Sequence, residues 1–356
     1  MAVTRTLRTG AWRFVELLAT PLVPADYLDV IAPLRNAEVL RARVEQVRAE
    51  TRDCVTLVLR PGRGWQRHEP GQYLRLGVDV DGVRLWRAYS VTTPPERTDG
   101  LIEVAVNAVP GGAVSNHLVR HARRGMLLHL DRPAGGFTLP RPRPAKTLFV
   151  TAGSGITPVM GMLRSALPEL PDVVVVHSAR TREDVVFGAE LRALAAAGRL
   201  RLVERHTATD GRLKPADLAE LVPDLFDRET YACGPNELLD ALGAHWADAG
   251  VEHRLHVETF RPVVIATGDG GTVTFARTGA VAEADGGTPL LEVGEAAGVL
   301  MPSGCRMGIC FGCVLPLREG AVRDLRDGQV TTATPEDGVL VQTCISAAAG
   351  PCHLDI

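Results

Sequence analysis

Ser303-Gly304-Cys305-Arg306-Met307-Gly308-Ile309-Cys310-Phe311-Gly312-Cys313, followed thirty residues later by Cys344, is the stretch on which the reading of this chain turns. The four thiols are separated by four, two and thirty residues, the plant-type arrangement for a 2Fe-2S cluster. A loop can wrap three thiolates round a compact inorganic centre only where its backbone turns tightly. Gly304, Gly308 and Gly312 supply that freedom beside the ligands. Structural zinc is the alternative for four cysteines, but zinc sites usually show two paired knuckles rather than one compact loop and a distant fourth ligand. Cys305, Cys310, Cys313 and Cys344 are therefore the candidate metal ligands. Cys54 and Cys352 fall outside the spacing and read as small buried residues.

Seven cysteines in 356 residues are too few for a disulfide scaffold, so a reducing cytoplasm fits. The 42 acidic and 39 basic residues nearly balance, which leaves no global field for nucleic acid or an acidic membrane surface. A single core rarely grows past roughly 250–300 residues, so more than one domain is expected. The uncharged run Thr147 to Leu163 carries Gly153, Ser154, Gly155 and Pro158 at its centre and reads as strand, turn and helix rather than a membrane span. Arg5, Arg8 and Arg13 precede a short apolar run that Glu16 interrupts, and no signal peptide is read there.

Working upstream from the cysteines, Thr267 to Gly271 is glycine-rich and polar and reads as a linker. Before it, apolar strands alternate with amphipathic helices. The strands are Thr147–Val150, Val173–His177, Arg201–Arg205, Thr230–Ala232 and Leu255–Val257, with helices near Val159–Leu167, Glu183–Ala197, Pro215–Leu221 and Glu237–Asp248. That pattern predicts a doubly wound α/β unit. Between Arg41 and Leu139, short alternating segments broken by Gly, Pro and Asp predict an antiparallel barrel or sandwich carrying one helix over Val114–Ala122. The expected division is an extension over 1–38, a barrel over 39–142, a nucleotide unit over 143–262 and a cluster unit over 263–356.

Two further motifs fit that order. Gly111-Gly112-Ala113-Val114-Ser115 opens the barrel helix, and free N–H groups at a helix start suit a pyrophosphate. Gly153-Ser154-Gly155-Ile156-Thr157-Pro158 joins a strand to a helix without the Rossmann spacing. An ordinary helix cap is the alternative for the first, and a structural turn for the second.

With Pro70-Gly71-Gln72-Tyr73, Arg87-Ala88-Tyr89-Ser90 and Cys233-Gly234-Pro235 added, the chain resembles the ferredoxin-NADP reductase superfamily, in its oxygenase- and desaturase-reductase form with a C-terminal ferredoxin domain. The resemblance implies an antiparallel β-barrel flavin domain, a doubly wound α/β nucleotide domain and a β-grasp ferredoxin domain. By the same resemblance Tyr89 packs on the isoalloxazine, Arg87 meets flavin phosphate, Ala88 shares that strand end and Ser90 sits near the reactive flavin nitrogen. Gly111, Gly112, Val114 and Ser115 hold the flavin dinucleotide, which favours FAD over FMN. Gly153, Gly155, Thr157 and Pro158 receive the nicotinamide dinucleotide, and Cys233, with Gly234 and Pro235, lies near the hydride-bearing carbon. Ser90 and Cys233 are thus the candidate catalytic residues. His256 to Phe260 resembles the segment that closes the nucleotide domain near the flavin, where Phe260 is a candidate contact.

Ser178, Arg180 and Arg182 follow the second strand of the nucleotide unit, and no acidic residue ends it immediately. This favours NADPH over NADH. The expected activity is an NAD(P)H-dependent electron-transfer reductase working through flavin and cluster. The leader, with Trp12, Leu17, Leu18 and Tyr27, resembles that of actinobacterial reductases serving membrane acyl-CoA desaturases, which implies peripheral contact at the inner membrane face. Ring-hydroxylating oxygenases, diiron monooxygenases and cytochromes P450 are competing acceptors, and a non-catalytic electron-transfer or redox-sensing subunit is the competing class.

Overall fold

The computed structural model describes residues 32–35, 39–80, 82–260, 269–304, 306, 308 and 311–356. The leader to which membrane or partner contact was assigned therefore lies outside the described residues, apart from 32–35. Three sheets follow one another along the chain.

The first contains β1 (Arg41–Thr51), β2 (Cys54–Pro61), β3 (Tyr73–Val80), β4 (Val83–Ser90), β5 (Ile102–Asn107) and β6 (Leu127–Leu130), with α1 (Ala113–His121) between the last two. Its order is β4-β3-β6-β1-β2-β5. The edges meet where Val91 pairs with Val104 and the Thr92 N–H donates to the Glu103 carbonyl at 2.9 Å, so the sheet curls into a barrel. Alternation drives this, because every second side chain of a strand points inward. Leu57, Leu59, Leu74, Leu76, Val78, Val104 and Val106 fill the interior, and Val114 and Leu118 of α1 plug it.

The second sheet is parallel, in the order β11-β10-β7-β8-β9. Its strands are β7 (Lys146–Ala152), β8 (Asp172–Ala179), β9 (Arg201–His206), β10 (Glu229–Cys233) and β11 (Leu255–Glu258). Successive residues of β7 feed opposite cores. Phe149 packs with Ile156, Val159 and Leu163 of α2 (Ile156–Ala166) and Leu191 of α3 (Gly188–Ala196). Leu148 and Val150 pack with Leu218 of α4 (Pro215–Leu221) and with Leu242 and Trp246 of α5 (Asn236–Asp248). Helices on both faces make the unit doubly wound, as the sequence pattern predicts. The helix expected over Glu183–Ala197 begins later. A single 3-10 turn covers Arg182–Asp184, and Phe187 takes a left-handed backbone (φ 59°) that no right-handed helix can pass through.

The third sheet has the order β13-β12-β17-β14-β15, with β16 also paired to β14. Its strands are β12 (Gly271–Phe275), β13 (Ala280–Ala284), β14 (Val314–Asp324), β15 (Val330–Ala333), β16 (Val339–Gln342) and β17 (Ser346–Leu354). β12 runs parallel to β17 and the other pairings are antiparallel. Helix α6 (Leu290–Ala296) packs Leu290, Leu291 and Val293 on Val273, Phe275, Leu315 and Leu317, a β-grasp arrangement. The stretch read as a linker is in part sheet. Gly270 bridges to Ala349, and Gly271 opens β12 with a φ of 147°. A Cβ on Gly271 would lie 2.5 Å from the Gly350 carbonyl carbon, so the close approach of two backbones requires glycine there.

Candidate functional site

All three units converge on one cavity of about 1880 Å³. A pocket for a single drug-sized ligand is about 300–1,000 Å³, so this space suits more than one large group.

The barrel contributes Tyr73, Arg87, Ala88, Tyr89 and Ser90. The antiparallel register of β3 with β4 sets Tyr73 opposite Ser90 and Leu76 opposite Arg87, which aligns the four-residue strand end along the wall. Ala88 packs beside Tyr73 and Ala134. One Arg87 amino group donates to the Trp86 carbonyl at 2.8 Å. Burial, reinforced by the neighbouring Arg306 charge, lowers the Arg87 pKa. Gly111, Gly112 and Ala113 also line the cavity. The start of α1 has no side-chain cap, so its first N–H groups are open to a diphosphate. Val114 and Ser115 are buried away from the wall. The Ser115 hydroxyl accepts from the Val109 N–H at 3.3 Å and so braces the loop.

From the nucleotide unit come Ser154, Thr157, Glu258 and Phe260. Gly153 to Gly155 form a 3-10 turn that leads into α2, whose start has no side-chain cap. A Cβ on Gly155 would fall 2.0 Å from the Cys233 carbonyl oxygen. Only glycine lets the start of α2 close on the end of β10. The Thr157 hydroxyl donates to the Ser154 carbonyl at 3.0 Å, and Pro158 is buried behind it.

Cys233 is fully buried beneath this turn, and burial pushes its thiol well above the ordinary range. Its side chain packs in the core and is absent from the cavity lining. Gly234 follows with little room beside Ala152, and Pro235 starts α5. Ser178 is buried at the end of β8, whereas Arg180 is 68% exposed and lies 3.6 Å from Asp184. Both are off the cavity wall. Phe260 is on it.

Glu258 was passed over at the sequence level beside Phe260. It pairs with Cys233 across β10 and β11, and burial raises its carboxyl to about 7. A carboxylate at the C-terminal end of a parallel strand, where such sheets bind ligands, was the available signal.

The C-terminal unit contributes Met301, Ser303, Arg306, Gly312 and Cys344 to the same wall. Cys313 and Cys344 are buried. Their segments are tied together, since the Thr343 N–H and hydroxyl both donate to the Cys313 carbonyl, at 3.2 and 2.9 Å. Gly308, with φ 73°, has no room for a side chain against Ile345. Its carbonyl accepts from Gln342 at 3.1 Å and from Arg326 at 3.5 Å. Two buried thiols under a tightly turned, hydrogen-bonded loop fit a cluster. Cys305 and Cys310 lie outside the described residues.

Three stretches of the chain match models of known domain families. Residues 41–139 match an oxidoreductase FAD-binding domain, 149–243 an oxidoreductase NAD-binding domain and 273–349 a 2Fe-2S iron-sulfur cluster binding domain. An NADPH oxidoreductase of Mycobacterium tuberculosis is 48% identical over 98% of this chain and 94% of its own length. The chain belongs to the ferredoxin-NADP reductase superfamily, in its form with a C-terminal 2Fe-2S domain. The ferredoxin reductase component of a Mycobacterium tuberculosis 3-ketosteroid-9-alpha-monooxygenase is 35% identical over 72% of this chain and 76% of its own. Phthalate dioxygenase reductase shares the fold, with a TM-score of 0.62 at 23% identity, over 89% of this chain and 98% of that one.

This reductase is an oxidoreductase with binding domains for FAD, NAD(P) and a 2Fe-2S cluster. When bound, flavin supplies the conversion of a two-electron hydride into single electrons that an iron-sulfur cluster can carry. The protein's own part is positional. Arg87 and the α1 start present positive charge from the barrel, Glu258 brings a carboxyl that burial raises to about 7, and Arg306, Gly312 and Cys344 complete the lining.

Proposed function

We propose that this reductase takes hydride from NADPH and delivers electrons one at a time to an oxygen-activating iron enzyme, first of all a membrane acyl-CoA desaturase. The observation that carries the reading is the single cavity lined by Arg87, Tyr89 and Ser90, by Ser154, Thr157 and Glu258, and by Arg306, Gly312 and Cys344. A redox sensor has no need of a nucleotide wall facing the flavin wall. In this reading Arg87, Gly111 and Gly112 hold flavin phosphates, Tyr89 covers the ring and Ser90 lies at its reactive edge. Gly153, Gly155 and Thr157 shape the nicotinamide dinucleotide site over Cys233, and Cys305, Cys310, Cys313 and Cys344 carry the cluster.

NADPH is favoured by the exposed cationic pair Arg180 and Arg182 after β8, and by the name of the 48%-identical relative, an NADPH oxidoreductase. Replacing Arg180 by Ala is expected to raise the KM for NADPH at least tenfold more than that for NADH; equal effects would refute the assignment. The desaturase rests on the leader residues alone. Among the described residues no helix is long and apolar enough to cross a membrane. The leader is proposed as a peripheral contact on its resemblance alone, tested by liposome flotation with and without it.

A second acceptor class, the multicomponent oxygenases, is favoured by a different observation, the monooxygenase named for the 35%-identical relative. The deciding experiment is anaerobic reduction with NADPH and NADH in parallel, followed by turnover with a desaturase and with an oxygenase component. Bleaching of flavin and cluster by NADPH supports the reading. A protein that shows neither flavin nor iron absorption overturns it.

A further inference from the structure

Accepting one electron adds one negative charge to a centre that four thiolates already surround, so the charges beside it govern how readily the electron stays. The unit that carries the four cysteines is itself acidic. From Asp269 to Ile356 the sequence has eleven carboxylates against five arginines and no lysine, a net charge of -6, while the remainder of the chain is at +3. Two of those five arginines, Arg306 and Arg326, stand at the cluster loop.

Arg306 follows Cys305 directly in the sequence. Its side chain is 18% exposed and ion-paired with Glu295 of α6, and both residues line the flavin cavity. Its backbone is left-handed, φ 60°, a conformation that a residue other than glycine enters only at a cost. Its Nε is buried and has no hydrogen-bond partner among the described residues, so the ion pair leaves part of the guanidinium unengaged. Arg326 reaches the loop from the turn between β14 and β15. It donates to the Gly308 carbonyl at 3.5 Å and to Asp324 at 2.8 and 3.1 Å. A Cβ on Gly308 would lie 3.0 Å from the Arg326 Nη1. The hydrogen bond to Asp324 and, among lesser causes, the Cys344 sulfur raise the Arg326 pKa. Arg326 is absent from the cavity lining.

We infer that Arg306 and Arg326 hold up the reduction potential of the cluster against the negative field of their own unit, and that Glu295 tempers Arg306. The inference rests on the reading of Cys305, Cys310, Cys313 and Cys344 as ligands and adds the side chains that govern how the electron is shared. A positive charge close to the cluster favours its reduced, more negative state, and a carboxylate disfavours it. Burial decides the size of the effect, because a charge in low dielectric is felt over several ångströms whereas an exposed one is screened. Arg306 should therefore act more strongly than Arg326, whose side chain is 43% exposed.

The full-length holoprotein is titrated potentiometrically without air, and the cluster is followed by the electron paramagnetic resonance of its reduced state. Arg306→Gln is expected to lower the potential enough to shift the cluster's one-electron equilibrium at least threefold, about 28 mV from roughly 59 mV per tenfold change. Arg326→Gln should lower it by less, Glu295→Gln should raise it, and Arg306→Lys should recover most of the loss. Arg277→Gln removes an arginine of the same unit that is 70% exposed, paired with Asp355 and off the cavity lining, and should leave the potential at the wild-type value. Iron content is measured for every variant. Should Arg306→Gln fail to hold iron, Glu295→Gln, which lies outside the cluster loop, decides alone. Shifts of the same sign in Arg306→Gln and Glu295→Gln overturn the proposal, because they would report a disturbed loop rather than a removed charge. Unchanged potentials in both overturn it as well. So does an equal shift in Arg277→Gln, which would make net charge rather than position the cause. A wild-type holoprotein without the resonance of a reduced 2Fe-2S cluster refutes instead the ligand assignment on which this rests.

Discussion

Glu258 illustrates what one side chain gains from its place. Its carboxyl, raised to about 7 by burial from an ordinary value of 4.5, holds its proton across a window in which an unfolded chain has lost it. Both states are protonated below about pH 4.5. As pH climbs from there toward 7 the folded state alone retains the proton, so the stability conferred by a neutral buried Glu258 is progressively lost, by up to about 3 kcal/mol at 1.36 kcal/mol per unit. Glu258→Gln should flatten the urea midpoint between pH 5 and 8. It should also remove an inflection near pH 7 from the rate of flavin reduction by NADPH; an inflection that persists in the variant would assign it to another group. Cys233 is the contrasting residue. Its thiol is buried under the Gly155 turn, so Cys233→Ser should act on the packing of the nucleotide site and remove no pH inflection from the rate of flavin reduction. The motif carrying Cys233 was legible in the sequence. The burial of the side chain was not, because it depends on where β7 sets Gly155 against β10.

At the scale of elements, the barrel and the nucleotide unit are fastened by Glu103 and Arg164. Glu103 of β5 is buried and accepts from Arg48 (2.8 Å), Arg97 (2.7 Å) and Arg164 of α2 (3.3 Å). Arg164 also donates to the Thr92 carbonyl at 3.1 Å and to Glu190 of α3 at 2.6 and 2.9 Å. Burial opposes the Glu103 charge, but the hydrogen bonds and charges of Arg48, Arg97 and Arg164 outweigh it and hold the carboxyl below its ordinary value. With a depressed folded value, this contribution is present above about pH 4.5 and lost as pH falls through the folded pKa. Glu103→Ala leaves Arg164 without its barrel carboxylate and should cost about 3–5 kcal/mol, read in a denaturant titration. A loss within 1 kcal/mol would show that the other contacts of Arg164 suffice. The Gly155→Ala change should weaken NADPH binding by more than tenfold, since its Cβ would meet backbone rather than a movable side chain. None of this junction was legible in the chain order, as Arg48, Glu103 and Arg164 belong to separate periodic segments and meet only across the interface.

For the whole molecule, removal of the iron with a chelator should lower the melting temperature of the C-terminal unit, because a bound group stabilises only the folded state. Reduction of the flavin by NADPH should continue in the stripped protein, as the barrel and nucleotide walls do not use the cluster thiols; loss of flavin reduction would show that the units fold as one. The sequence by itself determined the chemistry and the order of parts. Ligand spacing, glycine turns and the change from alternating to helical periodicity are local properties, set by covalent geometry over a few residues. It also set the charge imbalance between the C-terminal unit and the rest. Only the tertiary structure decided which of these residues share a cavity. It sent Cys233, Val114 and Ser115 inward, brought Glu258 and Arg306 to one cavity and left Phe311 off its lining, because convergence of strand ends from three sheets depends on contacts between residues far apart in the chain.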